Sequence, residues 1–209
     1  MVREFEKKVA DEYNSRFLKY GAQPKSSLWF SEHRQNLRFD LIIECIKRNQ
    51  TSSHFSINDI GCGYGGFLKR LQENFTNDRF SYMGFDLAKS PVSYCKLKYE
   101  KTGVQFHCSS IPNEIAHYNV MSGTFNYAPD LTVRAWKEYL FTSLNSIWGL
   151  TRHSMIFNLM IGEEKITPQK IAYIDKETIV NFCQRNFGAT SQHLSTKLPK
   201  EITFAVRRT

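Results

Sequence analysis

The spacing of apolar residues changes near residue 55 of the chain. Phe5, Val9, Tyr13 and Phe17 recur every four residues, which predicts an amphipathic helix. A second stripe of helical spacing follows and consists of Leu37, Leu41, Ile42, Cys45 and Ile46. The segment 20–29 between the stripes is rich in glycine, proline and serine, and it therefore predicts a turn-rich connection.

Short apolar runs alternate with helical stripes after residue 55. The runs that predict strands are 55–60, 80–85, 104–108, 118–121 and 155–160. The stripes that predict helices lie between them, at 67–75, 90–99 and 133–147. Strands that alternate with helices are typical of a mostly parallel sheet covered on both faces. In such a sheet, ligands bind beyond the carboxyl ends of the strands.

Two aspartates precede predicted helices. Asp130 is a candidate N-cap for helix 133–147, because a carboxylate there can accept hydrogen bonds from the free N–H groups of the first turn. Asp175 is the candidate cap of the next helix, and Gly188 is the residue at which that helix should end.

The C-terminal segment has the period of two that is typical of a strand. Apolar side chains at 202, 204 and 206 point to one face, and the residues between them point to the other. Together with a strand-like segment at 189–194 and a turn at Pro199, this pattern predicts a closing antiparallel hairpin. The sequence therefore predicts an α/β fold whose parallel sheet ends in antiparallel strands.

Composition restricts the classes of protein. The chain has 209 residues, 41% apolar and 23% charged, which suits one globular core. No window has the ~18 consecutive apolar residues of a membrane span, and the charged N-terminal segment is unlike a secretory signal. The five scattered cysteines predict reduced thiols. We therefore expect a cytoplasmic protein without a membrane partner.

The formal net charge is +8. It is spread along the chain, with +3 in residues 1–54, +2 in 55–189 and +3 in 190–209. Surfaces that bind nucleic acid usually cluster their basic residues. An ordinary basic surface is therefore favoured, and nucleic acid or a phosphorylated metabolite remains the alternative partner.

A glycine cluster carries the strongest local signal. Gly61, Gly63 and Gly66 lie between a predicted strand and a predicted helix, where they allow a tight turn and close approach of the backbone to a ligand. Asp86 ends the next strand, 23 residues beyond Gly63. A carboxylate at that position can accept two hydrogen bonds from a ribose diol.

The same glycines also satisfy the G-x-G-x-x-G fingerprint of dinucleotide-binding proteins. Asp59, however, lies on the strand just before them. A carboxylate would repel a diphosphate and attract an ammonium group, so the residues favour a cofactor that ends in an amino acid. A nucleotide-binding oxidoreductase remains an alternative.

The segment Asp-Ile-Gly-Cys-Gly-Tyr-Gly at 59–65, followed by Asp86, resembles the S-adenosylmethionine signature of class I methyltransferases. The resemblance covers about residues 55–207. It implies a Rossmann-like seven-stranded sheet, mostly parallel, with an antiparallel C-terminal strand.

The resemblance also implies roles for these residues. Asp59, Gly61 and Gly63 would hold the methionine end of S-adenosylmethionine (SAM). Asp86 would hold the ribose, with Leu87 beside it in the cofactor site.

The chain departs from the family after the third strand. Many members have an acidic residue near the adenine, whereas this chain has serines and an isoleucine. Ser110 and Ile111 are expected to flank the adenine there. Residues 1–54 are expected to form a helical lid, and residues 55–209 the Rossmann-like domain.

The segments 20–39 and 122–126 resemble a group of small bacterial methyltransferases of about this length. By that resemblance, Arg38 would pair with the methionine carboxylate, because a guanidinium matches carboxylate geometry. Trp29 would cover the pocket, and Ser122 would join the cofactor site.

Methyl transfer from a sulfonium is a direct displacement, which alignment and desolvation of the acceptor can promote. Asn126 and Tyr127 follow the fourth strand and are the candidates for groups that face the acceptor. His107 is a candidate base for a hydroxyl acceptor. The histidines and cysteines have no spacing that indicates a metal.

Three functions follow from these residues. The leading hypothesis is a SAM-dependent methyltransferase that acts on oxygen or nitrogen of a small polar metabolite, such as a sugar or sugar conjugate. The second has the same cofactor and an RNA or protein acceptor. The third is the nucleotide-binding oxidoreductase. A catalytically inactive relative that only binds the cofactor is a further alternative.

Overall fold

The computed structural model describes residues 2–29, 31–50, 52–99 and 101–208. Its helices are α1 (Val2–Tyr20), α2 (Glu32–Asn49), α3 (Gly66–Gln72), α4 (Lys89–Lys98), α5 (Val133–Gly149) and α6 (Lys176–Asn186), with short 3-10 turns at Pro24–Ser27 and Asn77–Arg79. Its strands are β1 (Phe55–Ile60), β2 (Phe80–Asp86), β3 (Gln105–Cys108), β4 (Ala116–Met121), β5 (Thr151–Met160), β6 (Lys165–Ile166), β7 (Ala172–Tyr173), β8 (Thr190–Leu194) and β9 (Glu201–Arg207).

Seven strands form one sheet in the order β3-β2-β1-β4-β5-β9-β8. Strands β1 to β5 are parallel, whereas β9 runs antiparallel to both β5 and β8. The predicted α/β sheet with an antiparallel C-terminal strand is confirmed. The order reverses between β1 and β4, and in sheets of this type that reversal opens a crevice for ligands. The remaining pair, β6 and β7, forms a small separate ribbon that the sequence pattern does not predict.

One face of the sheet is covered by α2. Its buried residues Ile42, Ile43 and Ile46 share a core cluster with Phe55 and Ile57 of β1. A second core cluster includes buried side chains of α5, such as Trp136 and Leu140. The division of the chain into a lid (1–54) and a Rossmann-like domain (55–209) stays a prediction. The first core cluster contains residues from both sides of that boundary, so α2 packs as part of the core beside the sheet.

The cap of α5 differs from the prediction. Thr132, and not Asp130, accepts a hydrogen bond from the Ala135 N–H in the first turn. Asp130 has a positive φ of 58° and binds the side chains of Lys8 and Lys170. The N-cap of α5 is therefore Thr132, two residues later in the chain than the predicted cap Asp130.

The other predicted cap agrees with the structure, because the Asp175 carboxylate accepts a 2.9 Å hydrogen bond from the Thr178 N–H. Within the described ranges, no helix has the length and apolar character needed to cross a membrane.

A buried ion pair ties α2 to the C-terminal strand. The Arg38 guanidinium donates to both oxygens of Glu201 at 2.5 Å, and both side chains are at most 6% exposed. Arg38 also donates to the Arg34 carbonyl at 3.0 Å. The expected pairing of Arg38 with a cofactor carboxylate lacks support in this geometry and stays a prediction, because its guanidinium already has a carboxylate partner within the chain.

Replacing Arg38 with Met should lower the free energy of unfolding by about 3–5 kcal/mol, because it leaves the Glu201 charge buried without its partner. Urea unfolding measures the change. Adding Glu201→Leu to Arg38→Met should restore part of the loss, since two apolar side chains tolerate burial.

The matched control is Arg134→Met, which breaks the exposed Arg134–Glu138 pair on α5. That substitution should change the free energy of unfolding by less than about 1 kcal/mol. Equal losses for Arg38→Met and Arg134→Met would contradict the role given to the buried pair.

Candidate functional site

The glycine loop turns sharply at the carboxyl end of β1. The Gly61 and Cys62 N–H groups both donate to the Phe85 carbonyl, at 2.7 and 3.0 Å, which fixes the loop to the end of β2. Gly61 has a φ of 79°, and a Cβ at that position would lie 2.6 Å from the Thr124 Oγ1. Only glycine satisfies both conditions, so the backbone stays close to the loop that follows β4.

Asp59 is 1% exposed and lies near the end of β1. Its carboxylate accepts a 2.5 Å hydrogen bond from the Tyr82 hydroxyl on the neighbouring strand. Burial raises the pKa of Asp59 to about 7, which outweighs the opposing effect of Tyr82, and the nearby Asp86 raises it further. In the isolated protein the neutral form of Asp59 is thus favoured up to near-neutral pH.

Asp86 ends β2 and is partly exposed to the same region. Its two oxygens accept hydrogen bonds from the Gly63 and Ala88 N–H groups, each at 2.8 Å. Burial raises the pKa of Asp86, and these two N–H groups oppose that rise. They also fix the carboxylate beside the glycine loop, at the position the sequence predicts for a ribose-binding group.

A cleft opens between the carboxyl ends of the strands and α1. Its empty volume, counted with its open mouth, is about 1150 Å³. The described wall contains two carboxylates, Asp59 and Asp86, and no lysine, arginine or histidine. The aromatic residues that line it are Phe5, Tyr13, Phe17, Trp29, Phe39, Tyr64, Phe67, Phe125, Tyr127, Trp136 and Tyr139. The cleft is therefore rich in aromatic side chains, with its formal negative charge at the glycine loop.

The structure brings most of the predicted site residues to this cleft. They are Trp29, Asp59, Gly61, Gly63, Asp86, Leu87, Ser110, Ser122 and Tyr127. Their roles toward a ligand stay predictions. The residues that do not line the cleft are Arg38, His107, Ile111 and Asn126.

His107 and Asn126 have internal contacts instead. The His107 ring stacks on Phe85 with centroids 5.2 Å apart and planes inclined by 18°. The Asn126 side chain accepts a 3.2 Å hydrogen bond from the Met160 N–H and holds the loop after β4 against β5. Their proposed catalytic roles lack support in this geometry, because neither side chain reaches the cleft.

Ile111 follows β3 and is 41% exposed. Its backbone N–H donates to the Ser109 hydroxyl, and Ser109 and Ser110 line the cleft whereas Ile111 does not. The serine loop therefore reaches the cleft through its hydroxyl-bearing residues.

The sequence predicts that residues 1–54 form a lid, but it does not identify the α1 residues that face the cleft. Phe5, Val9, Tyr13 and Phe17 all line it. Their spacing of four residues correctly predicts one apolar face of a helix. That spacing is the same for a face that packs on a core and for a face that lines a cavity, so the sequence signal does not separate the two.

Trp29 is held from two sides. The face of its indole ring lies on the Arg38 guanidinium, 4.0 Å from the ring centroid. Its edge lies against Gly123, where a Cβ would come within 2.4 Å of the Trp29 Cζ2. The buried Arg38–Glu201 pair thus supports one wall of the cleft from behind.

Comparison with known proteins finds a relative by sequence and many proteins of similar structure. No family model matches the chain. The Mycobacterium tuberculosis protein named "Putative methyltransferase Rv1506c" is 27% identical over 158 residues, which cover 74% of this chain and 93% of that protein.

Two solved structures illustrate the structural likeness. Magnesium protoporphyrin IX methyltransferase from Synechocystis PCC 6803, solved with bound SAM, has a TM-score of 0.71 at 13% identity and covers 98% of this chain and 97% of its own. A SAM-dependent methyltransferase from Leishmania major has a TM-score of 0.68 at 14% identity and covers 98% of this chain and 83% of its own. The chain therefore has the Rossmann-like methyltransferase fold.

Replacing Gly123 with Ala should displace Trp29 and lower the free energy of unfolding, because the added Cβ overlaps the ring. Gly103 is the matched control, since its φ of 79° is close to the 76° of Gly123 and a Cβ there meets nothing within 4 Å. Gly103→Ala should cost only the strain of a left-handed backbone, about 1–2 kcal/mol.

Urea unfolding of both variants measures the difference, and Gly123→Ala should lose more. The Trp29 position would have to be reconsidered if the two alanine variants were equally stable.

Proposed function

We propose that the chain is a SAM-dependent methyltransferase that transfers a methyl group to oxygen or nitrogen of a small molecule. The observation that carries the proposal is the placement of Asp59 and Asp86 on either side of the glycine loop, in a cleft whose described wall has no basic side chain. The methyltransferase fold and the name of the Mycobacterium tuberculosis relative support the same function.

The polar groups of the cleft fit this cofactor. Asp59 is almost fully buried and its pKa is raised, so a cation beside it would stabilise the ionised carboxylate. Within the described part of the chain, the buried Ser122 hydroxyl has no hydrogen-bond partner, and a ligand atom would satisfy it. The raised pKa of Asp59 favours a cationic ligand group, and the unsatisfied Ser122 hydroxyl favours a group that can form a hydrogen bond.

Each end of the cofactor has residues that would hold it. Asp59 would bind the ammonium group of the methionine part. Asp86 would accept the ribose hydroxyls, because Gly63 and Ala88 already orient its oxygens. Leu87 and Ser110 would line the adenine side. When bound, SAM supplies an electrophilic methyl group on a sulfonium.

The remaining residues would act by positioning the acceptor and excluding water. Tyr127 and Phe125 follow β4 and face the cleft together with α1. A displacement needs the acceptor atom in line with the methyl group, and a site that excludes water strengthens the electrostatic interactions within it. Trp29 would close the cleft near the cofactor, where Arg38 and Gly123 hold its ring.

A sugar or other polar metabolite, which the sequence resemblance suggests, has less support from the cleft. Its described wall contains many aromatic side chains besides its serine, threonine and glutamine residues. An RNA acceptor has less support as well, because the described wall has no lysine or arginine that could bind phosphate.

The proposed cofactor can be tested by calorimetry with S-adenosylhomocysteine (SAH) and, in parallel, NADH. SAH should bind and NADH should not, because a diphosphate would lie beside two carboxylates. Asp86→Asn should weaken SAH binding at least tenfold, since the amide loses one ribose acceptor. Asp78→Asn, at an exposed position outside the cleft, should not change it. Binding of NADH alone would overturn the proposed function in favour of an oxidoreductase.

A further inference from the structure

The carboxylate of the proposed cofactor has no cationic partner on the described wall of the cleft. That wall contains no lysine, arginine or histidine. Arg38, the arginine that the sequence suggests for this role, donates to both oxygens of Glu201, and the Trp29 ring lies against its guanidinium. An amino-acid carboxylate in this cleft therefore depends on uncharged hydrogen-bond donors.

The two carboxyl groups of the cleft decide where that carboxylate can lie. The ammonium and the carboxylate of an amino acid are attached to the same carbon, so both lie near the glycine loop when the ammonium binds Asp59. Asp59 and Asp86, at the ends of β1 and β2, repel an anion when they are ionised. The cofactor carboxylate is therefore favoured on the other side of the loop, where the segment between α1 and α2 approaches it.

Ser27 of that segment lies directly against the glycine loop. Its Oγ is 3.1 Å from the position that a Cβ on Gly63 would occupy, and both residues line the cleft. The neighbouring Ser26 hydroxyl donates to the Gln23 carbonyl at 2.8 Å, whereas the Ser27 hydroxyl has no such partner within the described part of the chain. Ser27 thus offers the cleft an available hydroxyl at the glycine loop.

Gln35, in the first turn of α2, offers a second donor. Its side chain is buried and lines the cleft. The Oε1 of its amide accepts a 2.6 Å hydrogen bond from the Tyr64 hydroxyl of the glycine loop. Burial raises the pKa of Tyr64 to about 12, so this hydroxyl keeps its proton and stays a donor. Because Tyr64 occupies the oxygen of the amide, the Nε2 end is left to donate to a ligand.

We propose that Ser27 and Gln35 bind the carboxylate of the cofactor, through the Ser27 hydroxyl and the Gln35 amide N–H groups. Tyr64 is a positioning residue, because it acts through the oxygen of the Gln35 amide. This inference rests on the proposed function and gives its cofactor a carboxylate site that contains no cation.

The test compares two ligands that differ only in this group. SAH has the carboxylate, and decarboxylated SAH keeps the ammonium group and the nucleoside. Calorimetry on the unmodified protein should show about tenfold tighter binding of SAH, because hydrogen bonds to a charged group are stronger than those between neutral groups.

Gln35→Glu, measured at pH 8, separates the two ends of the amide. A glutamate oxygen still accepts the Tyr64 hydrogen bond, but the donor end becomes an anion. SAH should bind about tenfold more weakly, because its carboxylate meets a like charge, and decarboxylated SAH should keep its affinity. Gln35→Met, which has neither charge nor donor, should likewise reduce the preference for SAH.

Asn36→Asp is the matched control. It makes the same change from amide to carboxylate one residue further along α2, at a side chain that does not line the cleft. This variant should keep the preference for SAH.

Two results would overturn the inference. Equal weakening of both ligands by Gln35→Glu would mean that Gln35 acts only on the structure of the glycine loop. An unchanged SAH affinity would mean that the amide donates into the neighbouring pocket, which Glu32 and Asn36 line, and not to the cofactor.

SAH binding by the unmodified protein separates this inference from the proposed function. If SAH binds and the Gln35 variants do not distinguish the two ligands, the carboxylate site is wrong and the methyltransferase proposal stands. If SAH does not bind, both fall together.

Discussion

A carboxylate buried beneath the glycine loop is the constraint on which the site depends. Asp59 is almost inaccessible to solvent, and the Asp86 carboxylate lies close enough to raise its pKa. Ionisation of both carboxyls would place two negative charges that oppose each other, and burial penalises each charge. Within the described wall of the cleft there is no basic side chain to compensate. A ligand cation at this site would therefore stabilise the ionised form of Asp59.

The rest of the fold positions this site. The glycine loop depends on the Phe85 carbonyl, and Asp86 depends on two N–H groups, so β1 and β2 together fix both carboxylates. The wall of the cleft that contains Trp29 depends on a different interaction. There the ion pair between Arg38 and Glu201 joins α2 to β9 and supports the Trp29 ring from behind. A charged pair deep in the core therefore shapes a cleft that neither of its members lines.

Local sequence patterns could predict the elements and the glycine site, because those depend on neighbouring residues. The strand ends place Gly61, Gly63 and Asp86 at one edge of the sheet by topology alone. Arg38 could not be assigned in this way, because its partner Glu201 is 163 residues away and pairs with it only in the folded chain. The apolar face of α1 was correctly predicted, but its period could not decide whether that face packs on a core or lines a cleft, and the lid role of residues 1–54 stays a prediction. The cap of α5 was missed because Asp130 and Thr132 both suit an N-cap, and the start of the helix decides between them.

The central claim is that Asp59 binds the cationic end of the cofactor. Carbon-detected NMR of the Asp59 carboxyl, titrated with and without SAH, tests it most directly. The pKa should be about 7 in the isolated protein and should fall by at least one unit when SAH is bound, since an adjacent ammonium stabilises the ionised form. SAH binding with an unchanged or higher pKa of Asp59 would contradict the account.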